Sequence, residues 1–233
     1  MENKSVLILS DLHYPYNHPD VIDFLSALKK KYKFDRIISV GDELDYHAIS
    51  FHDSDPDLMS PGDELKTSIA RLKPIYKLFP EMDLCESNHG SLVYRKQKTH
   101  GLPRHVIKSY RDILEAPKGW RWHNDIIVKT PKGEVYICHG RSADILKLSM
   151  SMGMSCIQGH YHTNFEVRYW GNSKGLYFGM IVGCLIENSS LAFAYNKLHL
   201  KRPVIGCGGI INGNPALFPM HLKPNGRWTG EVP

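Results

Sequence analysis

Three short apolar runs in this sequence each stop at a polar residue suited to holding a cation, and that pattern limits the fold more than any other feature. Val6-Leu7-Ile8-Leu9 ends at Ser10-Asp11. Arg36-Ile37-Ile38-Ser39-Val40 ends at Gly41-Asp42, and Met82 to Cys85 ends at Glu86-Ser87-Asn88-His89. Short apolar runs bounded by polar residues read as buried strands. Between the first two, Pro19 to Tyr32 has helical spacing, with Val21, Ile22, Phe24, Leu25 and Leu28 on one side. Asp63 to Leu78 is a second amphipathic stretch before the third run. Strand, helix, strand in this order predicts a right-handed parallel crossover. In open α/β sheets, sites form beyond the carboxyl ends of the strands. Asp11, Asp42 and Asn88 are therefore expected at one sheet edge.

Farther along, Leu92 to Leu114 is basic and mixed, and reads as helical in part. The texture changes after Trp120. Asp125 to Val128, Val135 to Cys138 and Phe165 to Tyr169 read as strands, with Pro131-Lys132-Gly133 as a turn. Asp144 to Met152 reads as a helix. The last fifty residues are rich in Gly, Pro and Asn, and their short apolar runs are expected to close a second sheet. No repeat or linker interrupts residues 1–233, which read as one α/β domain.

Composition narrows the function class. With 42% apolar and 23% charged residues the chain is an ordinary globular protein, not a disordered one. The net charge of +5 suits an anionic substrate without requiring nucleic acid. The five cysteines form no C-x-x-C pair, which argues against a zinc ribbon or a disulfide framework. The apolar run after Met1 to Ser5 is too short for a signal peptide, and no stretch approaches the roughly 18 apolar residues of a membrane span. A cytoplasmic setting is expected, with no membrane partner.

Five short signatures follow in order: Asp11-Leu12-His13, Gly41-Asp42-Glu43-Leu44-Asp45, Asn88-His89, His139-Gly140 and Gly159-His160-Tyr161-His162. Each alone is weak, because thirteen histidines make stray pairs common. As an ordered set at strand ends they carry weight. Asp11 and His13 are two apart, as are His160 and His162, so in an extended segment each pair would point one way. Carboxylate, imidazole and amide oxygen together suit borderline divalent ions. The series resembles the calcineurin-like metallophosphoesterase superfamily, whose pattern runs D-x-H, G-D-x-x-D, G-N-H-(D/E), H and G-H-x-H. The match spans Asp11 to His162. It departs at Ser87 and Gly90, where the pattern has glycine and an acidic residue, and at Tyr46, where the protein-phosphatase branch has arginine.

That resemblance implies a two-sheet metallophosphoesterase sandwich flanked by helices. It implies two divalent metal ions, with Mn²⁺ the first expectation and Fe, Zn, Co, Ni or Mg as others. Asp11, His13 and His162 would hold one ion, Asn88, His139 and His160 the other, and Asp42 would bridge them. A hydroxide between the ions would attack phosphorus. His89 would stabilise charge or protonate the leaving group, and Asp45 would orient His89. The implied activity is phosphodiester hydrolysis on DNA, RNA or nucleotides, nearest the repair-nuclease branch. The alternatives are a nucleotide monophosphatase and a low-activity interaction module on the same fold.

Substrate choice is expected to involve Arg95 and Lys96, in a basic segment that continues through Arg111, and His47, which with His52 follows the second signature. His18, His123, His199 and His221 have no partner at ligand spacing and are expected to be structural. A homodimer is compatible with the sequence.

Overall fold

The computed structural model describes residues 2–51, 55–193 and 200–233; His52 and His199 lie outside them. The elements are β1 (Ser5–Leu9), α1 (Val21–Tyr32), β2 (Arg36–Ser39), α2 (Pro61–Leu78), β3 (Glu81–Cys85), α3 (Leu92–Thr99), α4 (Tyr110–Ile113), β4 (Gly119–His123), β5 (Ile126–Thr130), β6 (Gly133–Cys138), α5 (Ile145–Met152), β7 (Ser155–Gln158), β8 (Phe165–Asn172), β9 (Gly175–Val182), β10 (Gly206–Ile211) and β11 (Asn214–Pro219). One sheet has the order β11-β10-β1-β2-β3-β4, the other β5-β6-β7-β9-β8. β1 to β4 run parallel, as do β6, β7 and β9. The expected strand, helix, strand units are present. α2 starts at Pro61, capped by the Ser60 hydroxyl, which accepts from the Asp63 N–H.

Period-two alternation builds the layers. Leu7 and Leu9 of β1 pack with Phe24, Leu25 and Leu28 of α1 and Leu72 and Ile75 of α2. Val6 and Ile8 face the other way and join Ile38, Val135, Ile137, Ile157 and Val182 between the two sheets. Ile145 and Leu148 of α5 cover Tyr136, Cys156 and Ile181 on the far side of the second sheet. The result is helices, sheet, sheet, helix. All five cysteines are free thiols buried in these layers. No helix among the described residues is long and apolar enough to cross a membrane.

The structure departs from the expected strands in four places, one of them β9, which no expected strand covered. β4 was not anticipated. Its Arg121 and His123 are polar and exposed, and both bond the Asp83 carboxylate of neighbouring β3 at 3.0 Å. The four-residue β7 is fully buried, and its Gln158 is satisfied by the Arg141 N–H and the Ser142 carbonyl. Finally, β10 and β11 extend the first sheet and do not close the second. Glycine makes this packing possible. A Cβ on Gly208 would lie 2.5 Å from Val182 Cγ1 of the opposite sheet.

Two of the histidines expected to be structural are so engaged. His18 donates to the Gly226 carbonyl and accepts from the Asp20 N–H, while His123 joins Asp83.

Ile8→Ala empties a site with 0% exposure between the sheets. It should cost about 2–5 kcal/mol in urea unfolding, whereas Leu176→Ala, at 72% exposure, should change stability by less than about 0.5 kcal/mol.

Candidate metal centre

Three parallel strands of the first sheet and two of the second lead to the signature residues. β1 leads to Asp11, β2 to Asp42, β3 to Asn88, β6 to His139 and β7 to His160. The loops beyond these strands turn sharply. His13, Asp42 and His160 have φ of 50°, 53° and 66°, in the left-handed region that costs non-glycine residues of order 1–3 kcal/mol. The two-apart pairs are therefore not extended, and their side chains are aimed by turns. His162 goes to Asp11 and His13, while His160 goes to Asn88 and His139.

Two donor sets share one carboxylate. In the first, His162 Nε2 lies 3.1 Å from Asp11 Oδ2 and 3.2 Å from His13 Nε2. In the second, Asn88 Oδ1 lies 2.6 Å from His139 Nε2 and 3.1 Å from His160 Nδ1. Asp42 Oδ2 stands between them, 3.5 Å from His13 Nε2 and 3.3 Å from His139 Nε2. Its other oxygen, Oδ1, accepts the His89 N–H at 3.1 Å.

Hydrogen-bond partners fix the tautomers. The Val40 carbonyl can only accept, so His139 Nδ1, 3.0 Å away, carries a proton. His13 Nδ1 likewise meets Asp45 Oδ1 at 2.6 Å. Both rings thus aim Nε2 inward, toward the acceptor oxygens of Asn88 and Asp42 and the ring nitrogens of His160 and His162. Asp11 Oδ1 is buried with no hydrogen-bond partner. Such clustered lone pairs repel unless cations or protons sit among them, so this donor set fits divalent ions. Three groups each bring their ligand atoms within 4.8 Å of one another: Asp11, His13 and His162; His13, Asp42 and His89; and Asp42, His139 and His160.

The carboxylates and imidazoles also shift one another's titration. Burial opposes charge on His139, but Asp42, Asp11 and the Val40 carbonyl outweigh it and push its pKa up to about 9. Asp42 is held well below the usual carboxylate range. Burial acts against that, but His139, His89 and His13 prevail. Burial also opposes charge on His89, yet Asp42 and Asp45 raise its pKa. For His13 and His160 burial wins, and their pKa values fall.

No protein-family model matches this chain, and no curated protein matches it significantly in sequence. Its shape does match solved structures. Vps29 from Chaetomium thermophilum aligns at TM-score 0.51 and 10% identity, over 99% of this chain and 95% of the other. Vacuolar protein sorting 29 from Cryptosporidium parvum aligns at 0.51 and 11%, over 100% and 96%. A metallophosphoesterase from Sphaerobacter thermophilus aligns at 0.45 and 13%, over 94% and 89%. The fold is the two-sheet α/β sandwich of these Vps29 structures, flanked by helices.

The glycines of the signatures have steric reasons. A Cβ on Gly159 would lie 2.7 Å from Asp11 Oδ1, blocking the 2.7 Å bond from the His160 N–H to Asp11 Oδ2. Gly41 has φ +110°, and its Cβ would lie 2.6 Å from Ser87 Cβ. The unusual Ser87 has a use that its side-chain type alone did not reveal. Its hydroxyl accepts from the Asp42 N–H and the Gly90 N–H, both at 3.0 Å, and so ties the second signature to the third.

Asp45 departs from its expected part. Its carboxylate lies on His13, and it is the Asp45 backbone carbonyl that takes the His89 Nδ1–H. The expected substrate residues are engaged within the chain. Arg95 donates to the Asn88 carbonyl at 2.7 Å and Lys96 to the Ser50 carbonyl at 3.2 Å, and both cations lie over the Phe51 ring. His47 accepts from the Asp55 N–H and lies 3.8 Å from Asp45 Oδ2. These three side chains brace the wall around the centre. Glu64, which carried no sequence signal, is buried in α2 and accepts the His47 and Ala48 N–H groups at 2.8 and 2.9 Å.

Ser87→Ala leaves two backbone N–H groups without their acceptor. It should lower stability by about 1–3 kcal/mol in denaturant unfolding. An unchanged midpoint would show that the hydroxyl does not join the two turns.

Proposed function

We propose that this chain is a dimetal-dependent phosphoesterase acting on phosphodiesters of nucleic acid or nucleotides. The observation that carries the reading is the position of Asp42 Oδ2 between two sets of inward-facing ring nitrogens. Asp11, His13 and His162 would hold one ion, Asn88, His139 and His160 the other, with Asp42 between. When bound, such ions supply Lewis acidity toward a phosphoryl oxygen and make coordinated water a nucleophile near neutral pH.

The chain's own groups do the rest. The Asp45 carboxylate holds His13 in its ligand tautomer. The Asp45 carbonyl holds the His89 Nδ1–H, which leaves Nε2 of that raised-pKa ring to protonate a leaving oxygen. Two features support a diester over a phosphoprotein. Tyr46 is buried where an arginine would reach substrate in the phosphatase branch. Arg104, His105, Lys108 and Arg111 form an exposed basic stretch after α3, suited to phosphate backbones.

Purified protein with Mn²⁺ should hydrolyse bis-p-nitrophenyl phosphate and degrade DNA or RNA. Asp42→Asn should lose both activity and bound metal, and His89→Ala should lose turnover but keep metal. Turnover of p-nitrophenyl phosphate alone, with nucleic acid left intact, would replace this reading with a nucleotide monophosphatase. Stoichiometric metal without turnover would indicate an interaction module.

Ion binding also requires His139 to give up the proton it holds up to about pH 9. Mn²⁺ affinity should therefore rise with pH up to that point, by at most about tenfold per unit, with proton release seen by calorimetry in buffers of different ionisation heat. A pH-independent affinity would remove His139 from the ligand set.

A further inference from the structure

The Ser87 to Gly90 turn has two faces. Asn88 and His89 serve the metal centre, whereas Ser87 and Gly90 line a separate cavity of about 420 Å³. That volume is far above the ~30 Å³ of a water molecule and within the ~300–1,000 Å³ of small-molecule sites. Its walls bring three aromatic rings together from three elements: Tyr94 of α3, Tyr110 of α4 and Trp122 of β4. Tyr110 and Trp122 meet edge to face at 5.5 Å. Packing of this kind offers flat apolar surface to a planar ring.

Charge gives the cavity a direction. Arg104 and Lys108 reach it from one segment, while Glu86 comes from the end of β3. The Arg104 guanidinium already lies 5.1 Å from the centre of the Tyr94 ring, so cation and ring surface are adjacent. Gln97 and Asn124 add hydrogen-bonding edges, and the Gln97 Nε2 is spent on the Pro103 carbonyl, which leaves its oxygen as an acceptor. Gly90 matters here as well. A Cβ there would lie 3.2 Å from Tyr110 Cε1, so a larger side chain would press that wall into the space. A flat polar ring joined to a single anionic group matches this lining, whereas a hydrocarbon would leave the cations and amides unused.

We propose that this cavity binds a nucleoside monophosphate, with its base against Tyr94, Tyr110 and Trp122 and its phosphate at Arg104 and Lys108. The site is distinct from the metal centre and does not depend on the hydrolase reading, so it is tested without metal. Titration calorimetry of the full chain in EDTA with AMP, GMP, CMP and UMP should show one-to-one binding of at least one of them. Arg104→Glu and Tyr94→Ala, both exposed positions, should each weaken it by about tenfold or more with unchanged melting curves, and Asp42→Asn should leave it unchanged. Three results would overturn the proposal. One is no binding of any of the four up to about 5 mM. Another is binding lost in Asp42→Asn but kept in Arg104→Glu, which places the nucleotide at the metal centre. The third is inorganic phosphate binding as tightly as the nucleotide, which removes the ring from recognition.

Discussion

A single buried carboxylate organises this molecule. Asp42 is 1% exposed and would be costly to charge alone. It is kept ionised by three imidazoles, and both of its oxygens are committed: one to the His89 N–H, the other to the gap between His13 and His139. Its neighbour Glu43 is buried too, but burial and the Asp42 charge push its pKa up to about 7. At neutral pH much of Glu43 is uncharged, so two adjacent buried anions are largely avoided. The architecture follows from serving Asp42. β2 brings it to the edge, β1 and β3 flank it with Asp11 and Asn88, and the second sheet closes over it with His139 and His160.

Rigidity comes from the turns beyond the strands. Left-handed φ at His13, Asp42 and His160 is unfavourable for each residue, and neighbouring bonds hold it in place. The His13 and Leu12 N–H groups both donate to the Asp42 carbonyl, and Ser87 takes the Asp42 N–H. The His160 N–H is held by Asp11. Each turn is thus restrained by a residue from another strand. The wall made by His47, Phe51, Arg95 and Lys96 adds a second belt, since α3 and the loop after β2 are joined there by two cation–ring contacts.

Much of this was legible in residue order. Apolar runs that stop at Asp11, Asp42 and Asn88 are a local pattern, and strand ends follow from local pattern. The G-D and G-H pairs were legible for the same reason, since glycine is needed wherever a Cβ would strike a neighbour, as at Gly41 and Gly159. β4 was harder to see because its exposed Arg121 and His123 break the apolar pattern, and the Asp83 carboxylate that both bond lies in another strand. β10 went to the other sheet because strand choice depends on which neighbour accepts a glycine-rich surface, and that partner lies far away in sequence.

The sequence by itself determined the parallel units, the strand ends and the chemical type of each signature residue, because these depend on periodicity and on atoms within a few positions. Only the tertiary structure decided which atom of each residue does what. Ser87 became a tie between turns, the Asp45 carboxylate went to His13 while its carbonyl took His89, and Arg95 and Lys96 became braces. Those assignments depend on distances of about 3 Å between residues far apart in the chain, the range within which a hydrogen bond exists or does not. Residue types name the donors, and only folding chooses their acceptors.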